Sequence, residues 1–434
     1  MTASPSISTE PLAVPSGGRV RGRLRVPPSK SVTHRFFNLA LLAGHRLVVE
    51  RPLEAEDTSL FLAALAASGF AVERHGDEVR LEPGVRPEGE IEIFCGNAGT
   101  MLRFLLASLT AIPGTWRLDG VPRLRERPVG PLVEALRALG ARIDYLGLTG
   151  YVPVRIEGAS LQGGVARLDA GESSQYLSAL LMAGLRASRE VVIEVPALTS
   201  KPYVDVTLAA AVAFDGLIER LGPQTFRVRP SDLRAGRVRV EGDYSAACYP
   251  AAAAALTRGE IVLEGLRRDS RQGDRGFMDL LVEMGAESEW RDDDLVVRGR
   301  DLRGVKADLS SMPDQVPTLA ALAPFARGET LIHDVAHLRI KESDRLEAMA
   351  TELRKAGAEA REGRDRLWIP GLWSEQEPPR EEVLIDPRGD HRIAMSFALV
   401  GLRRPGLAIA DPQVVGKSYP HFWRDMIAIL EGDP

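Results

Sequence analysis

Six times along this chain an apolar, strand-like run leads through a short polar loop into a helix of small apolar residues. The six openings read PSKSVTHRFFNLALLAG from Pro28, GNAGTMLRFLLASL from Gly96, ESSQYLSALLMAGL from Glu172, GDYSAACYPAAAAAL from Gly242, PDQVPTLAALAPFA from Pro313 and GDHRIAMSFALVGL from Gly389. Anchored on Ser29, Asn97, Ser173, Asp243, Asp314 and Asp390, they are spaced by 68, 76, 70, 71 and 76 residues. A near-constant period means that one supersecondary unit is repeated, and this one is longer than the usual solenoid repeat. Every anchor is a preferred N-cap type. The spacing therefore predicts six helix N-termini, whose orphan N–H groups and partial positive charge favour anions.

Behind the openings a second pattern recurs, in which a helix runs into Gly and then into two short alternating runs parted by a turn. Clear cases begin at Phe61, Leu132, Leu280 and Met349. Glycine after the last apolar turn is the expected helix stop, and the alternating runs suit half-buried hairpins. The unit reads βαβαββ. The last copy ends at FWRDMIAILEGDP before any hairpin, while GRVRGRLRVPP near the N-terminus has no unit of its own. The simplest repair predicts that this N-terminal segment completes the last unit. The fold class is then α/β, with two similar domains of three units each, 29–241 and 1–28 with 242–434, and a ligand cleft between them.

The 434 residues exceed what one core usually serves. With 55 Lys plus Arg against 60 Asp plus Glu, a net charge of −5 argues against a nucleic-acid binder that relies on a basic surface. No run of about 18 apolar residues is present to span a membrane, and the Ser- and Pro-rich start MTASPSISTEPLAVPSGG reads as a loose tail and not as a signal peptide. Two cysteines, Cys95 and Cys248, offer neither a disulfide framework nor metal-ligand spacing. These features predict a cytoplasmic protein.

Any anion site must therefore be local, and the cations stand where helix rules disfavour them. Lys30 and Arg35 open the first helix and Arg392 opens the last, although the macrodipole penalises cations there by about 0.3–1 kcal/mol. In VPRLRERPVG the spacing of Arg123, Arg125 and Arg127, with Pro128 biasing Arg127 to extended backbone, predicts one basic strand face. In LRIKESDRLEAM, Lys341 and Arg345 read as an i, i+4 like-charge pair on a helix, beside Glu342. Lys417 lies in the loop VVGKSYPHF. ESSQY and TSKPY add hydroxyls, and Asp314 reads either as a plain cap or as a carboxylate aimed at a substrate hydroxyl.

Assembled, these stretches resemble the 5-enolpyruvylshikimate-3-phosphate synthases, a family of enolpyruvyl transferases. The matching stretches are PPSKSVTHR, GNAGTMLR, LRERP, ESSQYLSALLM, SKPYVDVTL, PDQVPTLA, RIKESDRL, DHRIAMS and GKSYPHF, in that order along nearly the whole chain. Each is weak alone; nine in order are specific. The resemblance implies an inside-out α/β fold of two domains that close over an interdomain active site. It also implies a reaction without metal or cofactor, in which the 5-hydroxyl of shikimate 3-phosphate adds to phosphoenolpyruvate and phosphate is eliminated, inside the shikimate pathway to aromatic amino acids.

Carried over residue by residue, the resemblance makes Lys30, Asp314 and Glu342 catalytic. It gives shikimate 3-phosphate to Lys30, Ser31, Arg35, Ser173, Ser174, Gln175, Ser200, Tyr203, Asp314 and Lys341, largely in 29–241. It gives phosphoenolpyruvate to Lys30, Asn97, Gly99, Arg127, Gln175, Arg345, His391, Arg392 and Lys417. The expected partners are those two substrates only, with no nucleic acid and no membrane, and the chain is expected to be a monomer. Gly99 implies a pocket that admits glyphosate. Phe36, Phe104, Tyr244 and His337 depart from common family patterns, the last where Asn often binds substrate. The rival of the same chemistry, the UDP-N-acetylglucosamine enolpyruvyl transferases, carries a reactive cysteine where this chain has Arg123 to Arg127, and Cys95 reads as core. A non-catalytic anion-binding relative should have lost Lys30, Asp314 or Glu342, and all are present.

Overall fold

The computed structural model describes residues 10–431. The chain divides into two compact units, one made by the stretch up to Pro27 together with everything from Gly242 onward, the other by Pro28–Glu241.

In the Pro28–Glu241 unit the helices Lys30–Ala43, Gly99–Ser108 and Ser174–Gly184 pack against one another. Their residues are buried on nearly every side, which is why their sequences lack a polar stripe. Each leads into a four-stranded sheet. One sheet runs Glu90–Phe94, Gly114–Asp119, Val154–Gly158 and Arg142–Tyr145 in spatial order, the first pair parallel and the others antiparallel. This is the βαβαββ unit of the sequence pattern. Another repeats it with Gly164–Arg167, Val191–Glu194, Thr225–Arg229 and Leu217–Gly222. In the remaining sheet Leu47–Glu50 takes its parallel neighbour, Arg237–Arg239, from the end of the unit. Strands such as Glu90–Phe94 alternate exposed and buried, so one sheet face is wet and the other covers the core.

The second unit repeats the plan around helices Tyr244–Thr257, Val316–Leu322 and His391–Arg403. Its sheets contain Arg21–Arg25 with Glu260–Glu264, Lys306–Asp308 with Glu329–His333, and Val383–Ile385 with Leu407–Ile409. Two expectations change here. Arg21–Arg25, from the stretch expected to complete the last unit, pairs instead in parallel with Glu260–Glu264 in the first sheet of this unit, Leu24 opposite Leu263. The last sheet is finished by Leu12–Ala13 against Ala408 and Ile409, so part of the segment read as a loose tail is strand. Residues 1–9 of that tail lie outside the described residues.

The caps also differ from expectation. Ser173, Asp243 and Asp390 cap their helices, accepting from the backbone N–H groups of Gln175, Ala246 and Arg392. Ser29 occupies a cap position without a side-chain cap bond, and Ala98, not Asn97, precedes the helix Gly99–Ser108. Asp314 lies inside the tight turn Pro313–Gln315, with its carboxylate turned away from the helix it was to cap. Among the described residues no helix is long and apolar enough to cross a membrane.

Candidate active site

In the Pro28–Glu241 unit the site begins with a cation that the fold buries without an acid. Arg35, on the second turn of helix Lys30–Ala43, is 1% exposed. Its Nε donates to Thr207 Oγ1 at 2.8 Å, Nη1 to the Ser31 carbonyl at 2.8 Å, and Nη2 to the Tyr203 carbonyl at 2.8 Å and Ser178 Oγ at 3.4 Å. The Phe104 ring lies beneath it, its centroid 5.2 Å away. Among the described residues no carboxylate pairs with this guanidinium, and burial lowers its pKa to about 10. A buried cation costs free energy unless an anion compensates it. Ser31, Arg35 and Tyr203 thus come together, with Ser200 opening the turn that carries Tyr203.

Lys30 reaches Asp57 Oδ2 at 3.3 Å, both side chains largely buried. Asp57 was missed by sequence reasoning, because an acid in a helix's first turn is what the macrodipole favours anyway. His34, one turn on from Lys30, is held down to about 3: burial outweighs the nearby Asp57 carboxylate, and the Lys30 cation lowers it further.

A second link joins the other two helix starts. Gln175 Nε2 donates to Thr100 Oγ1 at 2.9 Å, and Gln175 Oε1 accepts from Arg103 Nη1 at 2.6 Å. Arg103 lies over the Tyr176 ring, and both Arg103 and Tyr176 donate to the Pro128 carbonyl. Arg103 stands in the quoted GNAGTMLR stretch and orients Gln175, yet nothing in its one-dimensional context marks it. Ser173 and Ser174 are buried at the start of the same helix as Gln175.

The basic strand face expected at Arg123, Arg125 and Arg127 does not form. Pro122 opens the short helix Pro122–Arg125. Arg123 pairs with Glu126 at 2.8 Å and Arg125 with Asp119 at 2.5 Å, both on the surface. Proline at the first helical position is pre-organised for a turn, and that outweighs the extended bias Pro128 places on a single residue. Only Arg127 is buried, donating to the Asn97 carbonyl at 3.3 Å beside Gly99.

In the other unit the cations and acids are compacted. Arg345, also 1% exposed, donates through Nε to Asp390 Oδ2, through Nη1 to Asp314 Oδ1 and through Nη2 to Glu342 Oε2, each at 2.8 Å. Arg392 Nη2 donates to Asp314 Oδ2 at 2.8 Å. Burial alone would raise the Asp314 pKa, but Arg392, Arg345 and Lys341 hold it well below the usual carboxylate range. Asp390 serves as both helix cap and Arg345 partner, and accepts a further bond from Ser343 at 3.0 Å.

Lys341 and Arg345 do not share a helix. Lys341 follows the turn Ala336–Ile340 in extended backbone, and Asp344 caps a helix that starts only at Arg345. The helix starts beyond Lys341, so the like charges share no helix face. His337 is buried, and its pKa is lowered to about 4 by burial, with the Lys341 cation adding. His391 is buried beside Asp390. Lys417 is buried in the turn Pro412–Lys417, which packs on helix His391–Arg403. Both cysteines are buried, and burial pushes their thiols up, so neither is poised as a nucleophile.

The geometry thus presents buried cations in both units and a pair of carboxylates, Asp314 and Glu342, on one guanidinium. Comparison with known proteins agrees on one family. Residues 14–426 match the family model for EPSP synthase (3-phosphoshikimate 1-carboxyvinyltransferase). The chain is 44% identical over 410 residues to the 3-phosphoshikimate 1-carboxyvinyltransferase of Syntrophobacter fumaroxidans, covering 93% of this chain and 96% of that protein. It is 43% identical over 412 residues to that of Methanoculleus marisnigri, covering 94% and 96%. Among solved structures, EPSP synthase from Acinetobacter baumannii aligns with a TM-score of 0.79 at 27% identity over 98% of both chains. The enolpyruvyl transferase NikO from Streptomyces tendae shares the fold, with a TM-score of 0.79 at 20% identity over 98% of both chains. The chain belongs to the EPSP synthase family.

Proposed function

We propose that the chain transfers the enolpyruvyl group of phosphoenolpyruvate to the 5-hydroxyl of shikimate 3-phosphate and releases phosphate, acting as a cytoplasmic monomer. The observation that carries this reading is Arg345 holding Asp314 and Glu342 at 2.8 Å each. Addition and elimination each move a proton, so the reaction needs paired acid and base groups within reach of one another. Asp314 is ionised at neutral pH but a weak base while Arg345 and Arg392 hold it. A carboxylate- and phosphate-bearing substrate competes for those guanidinium forks, and their departure raises the basicity of Asp314 as the substrate arrives. Glu342 and Lys30 then handle protons at the enol carbon and the leaving phosphate.

Arg35 supports the other half of the reading. Its uncompensated charge suits the shikimate carboxylate with Ser31, while Ser173, Ser174, Ser200 and Lys341 gather the phosphate and Gln175 and Tyr203 line the ring. The Pro28–Glu241 unit in this scheme takes mainly shikimate 3-phosphate. Phosphoenolpyruvate meets Lys30, Asn97, Gly99, Arg127, Gln175, Arg345, His391, Arg392 and Lys417.

The test is phosphate release from phosphoenolpyruvate on adding shikimate 3-phosphate, with wild type and Glu342→Gln side by side. Losing a general acid or base costs about 10²–10⁴-fold in rate, and that loss is expected. Absence of shikimate-3-phosphate-dependent phosphate release in the wild type would refute the assignment. A wild-type rate in E342Q would remove Glu342 from it.

A further inference from the structure

Two hydrogen bonds beyond Arg392, through one hydroxyl, lies a buried carboxyl that the scheme above does not use. Asp274 sits in the turn Gly273–Arg275 and is 3% exposed. The Ser245 hydroxyl, on the first turn of helix Tyr244–Thr257, donates to Asp274 Oδ2 and accepts from Arg392 Nη2 at 3.4 Å. The same Nη2 donates to Asp314 Oδ2 at 2.8 Å. Arg392 is therefore shared between Asp314 directly and Asp274 through one hydroxyl.

The surroundings of Asp274 are poorly suited to a merely structural acid. Its Oδ1 is buried with no hydrogen-bond partner, which disfavours the charged form. The charges facing it are Asp314 from the turn Pro313–Gln315, Asp243 from the cap of helix Tyr244–Thr257, and Arg392 from the last helix; the Cys248 thiol, on helix Tyr244–Thr257, touches its backbone carbonyl at 3.6 Å. Burial raises its pKa to about 7, with Asp314 adding and Arg392 opposing. Its charge therefore changes near neutral pH, beside a cation assigned to substrate.

We propose that Asp274 is a positioning residue that acts through Ser245 on Arg392, drawing the guanidinium away from Asp314 and from an anionic substrate when ionised and releasing it when neutral. This rests on the reading that Arg392 binds phosphoenolpyruvate. The direction follows from Coulomb's law: a second negative charge near Arg392 weakens its hold on an incoming anion.

The test is the affinity for phosphoenolpyruvate, by calorimetry on the full chain at about pH 6 and about pH 8.5, for wild type, Asp274→Asn, Ser245→Ala and Ser245→Thr. The ratio of wild type to D274N removes the substrate's own titration. It is expected near one at the lower pH, with wild type weaker by about fivefold at the higher pH, a shift of about 1 kcal/mol. S245A should behave as D274N, and S245T, which keeps the hydroxyl, as wild type. In turnover the effect should fall on the phosphoenolpyruvate KM and not on that of shikimate 3-phosphate.

A ratio independent of pH, or an equal shift for both substrates, overturns the proposal. Where D274N does not fold, S245A carries the same test. Phosphate release by the wild type is scored separately. Its absence with a pH-dependent ratio would sink the transferase reading and leave Asp274 coupled to Arg392. Its presence with a flat ratio would sink only the role of Asp274.

Discussion

In the Pro28–Glu241 unit the buried Arg35 meets two hydroxyls and two carbonyls, whereas in the other unit the equally buried Arg345 meets three carboxylates. The first guanidinium is oriented but not neutralised, so an arriving anion supplies the missing charge and displaces nothing. The second is neutralised in advance, so an arriving anion must displace a carboxylate. Orientation without neutralisation makes a receptor. Neutralisation by carboxylates that chemistry needs makes a site that changes state on binding.

The largest effect expected from this contrast is on stability. Arg345→Met leaves Asp314, Glu342 and Asp390 facing one another without their shared cation, and breaking such a buried set costs roughly 3–5 kcal/mol. Arg35→Met loses hydrogen bonds worth about 1 kcal/mol each, but it also removes a desolvated charge, so a net cost of about 1–2 kcal/mol is expected. Urea denaturation with a fluorescence probe in each unit separates the two. If R35M destabilises its unit as much as R345M does, the contrast between receptor and charge cluster is wrong. R35M should nonetheless raise the KM for shikimate 3-phosphate steeply.

Acidity probes the same contrast at smaller amplitude. His34 is held neutral by burial, with a folded pKa of about 3 against 6.5 unfolded. The unfolded chain binds the extra proton between those values, so the stability His34 allows is complete above pH 6.5 and falls as pH drops toward 3, by up to ~5 kcal/mol. Asp274 in the other unit has the opposite sign. Its raised pKa means that the fold binds the extra proton between about pH 4 and 7, so stability falls as pH rises through that window. Denaturation midpoints at about pH 5 and 7.5 should show His34→Leu flattening the acid loss and Asp274→Asn gaining most at the higher pH. Parallel shifts in both variants would show that burial of these groups does not control pH stability.

The six helix openings were legible because the physics that makes them is local and repeated. Helices buried on all sides need small apolar residues throughout, and a fixed connection length returns the pattern at a near-constant period. The charge placement was legible only as a violation. Lys30, Arg35 and Arg392 stand out at helix starts, whereas Asp57, Arg103 and Asp274 obey local rules or have none to break, and nothing in one dimension shows what they touch. Asp314 and Asp390 share one sequence signature and part company in space. One turns to two guanidinium groups, the other caps its helix and grips Arg345 as well. Arg21–Arg25 has strand character but no local sign that its partner is Glu260–Glu264, because parallel pairing across more than two hundred residues is set by the core and not by a turn.

The smallest expected effect concerns Gly99, where the receptor-like unit meets its second cation. A Cβ built there would lie 2.5 Å from Arg127 Cζ and Nη2 and 2.7 Å from Nη1, closer than any real contact. Gly99 starts the helix Gly99–Ser108, where alanine is favoured over glycine by about 1 kcal/mol. The substitution Gly99→Ala should therefore leave stability within about 1 kcal/mol, since the collision falls on the far end of a flexible side chain. What moves is the guanidinium, which donates to the Asn97 carbonyl at 3.3 Å. A displaced fork loses part of a charge-assisted pair, so the KM for phosphoenolpyruvate should rise by about three- to thirtyfold, while that for shikimate 3-phosphate stays near the wild-type value. An unchanged phosphoenolpyruvate KM in G99A would mean that Arg127 serves the fold beside Gly99 and not the substrate. The cations that receive anions in this unit would then be Lys30 and Arg35, without Arg127.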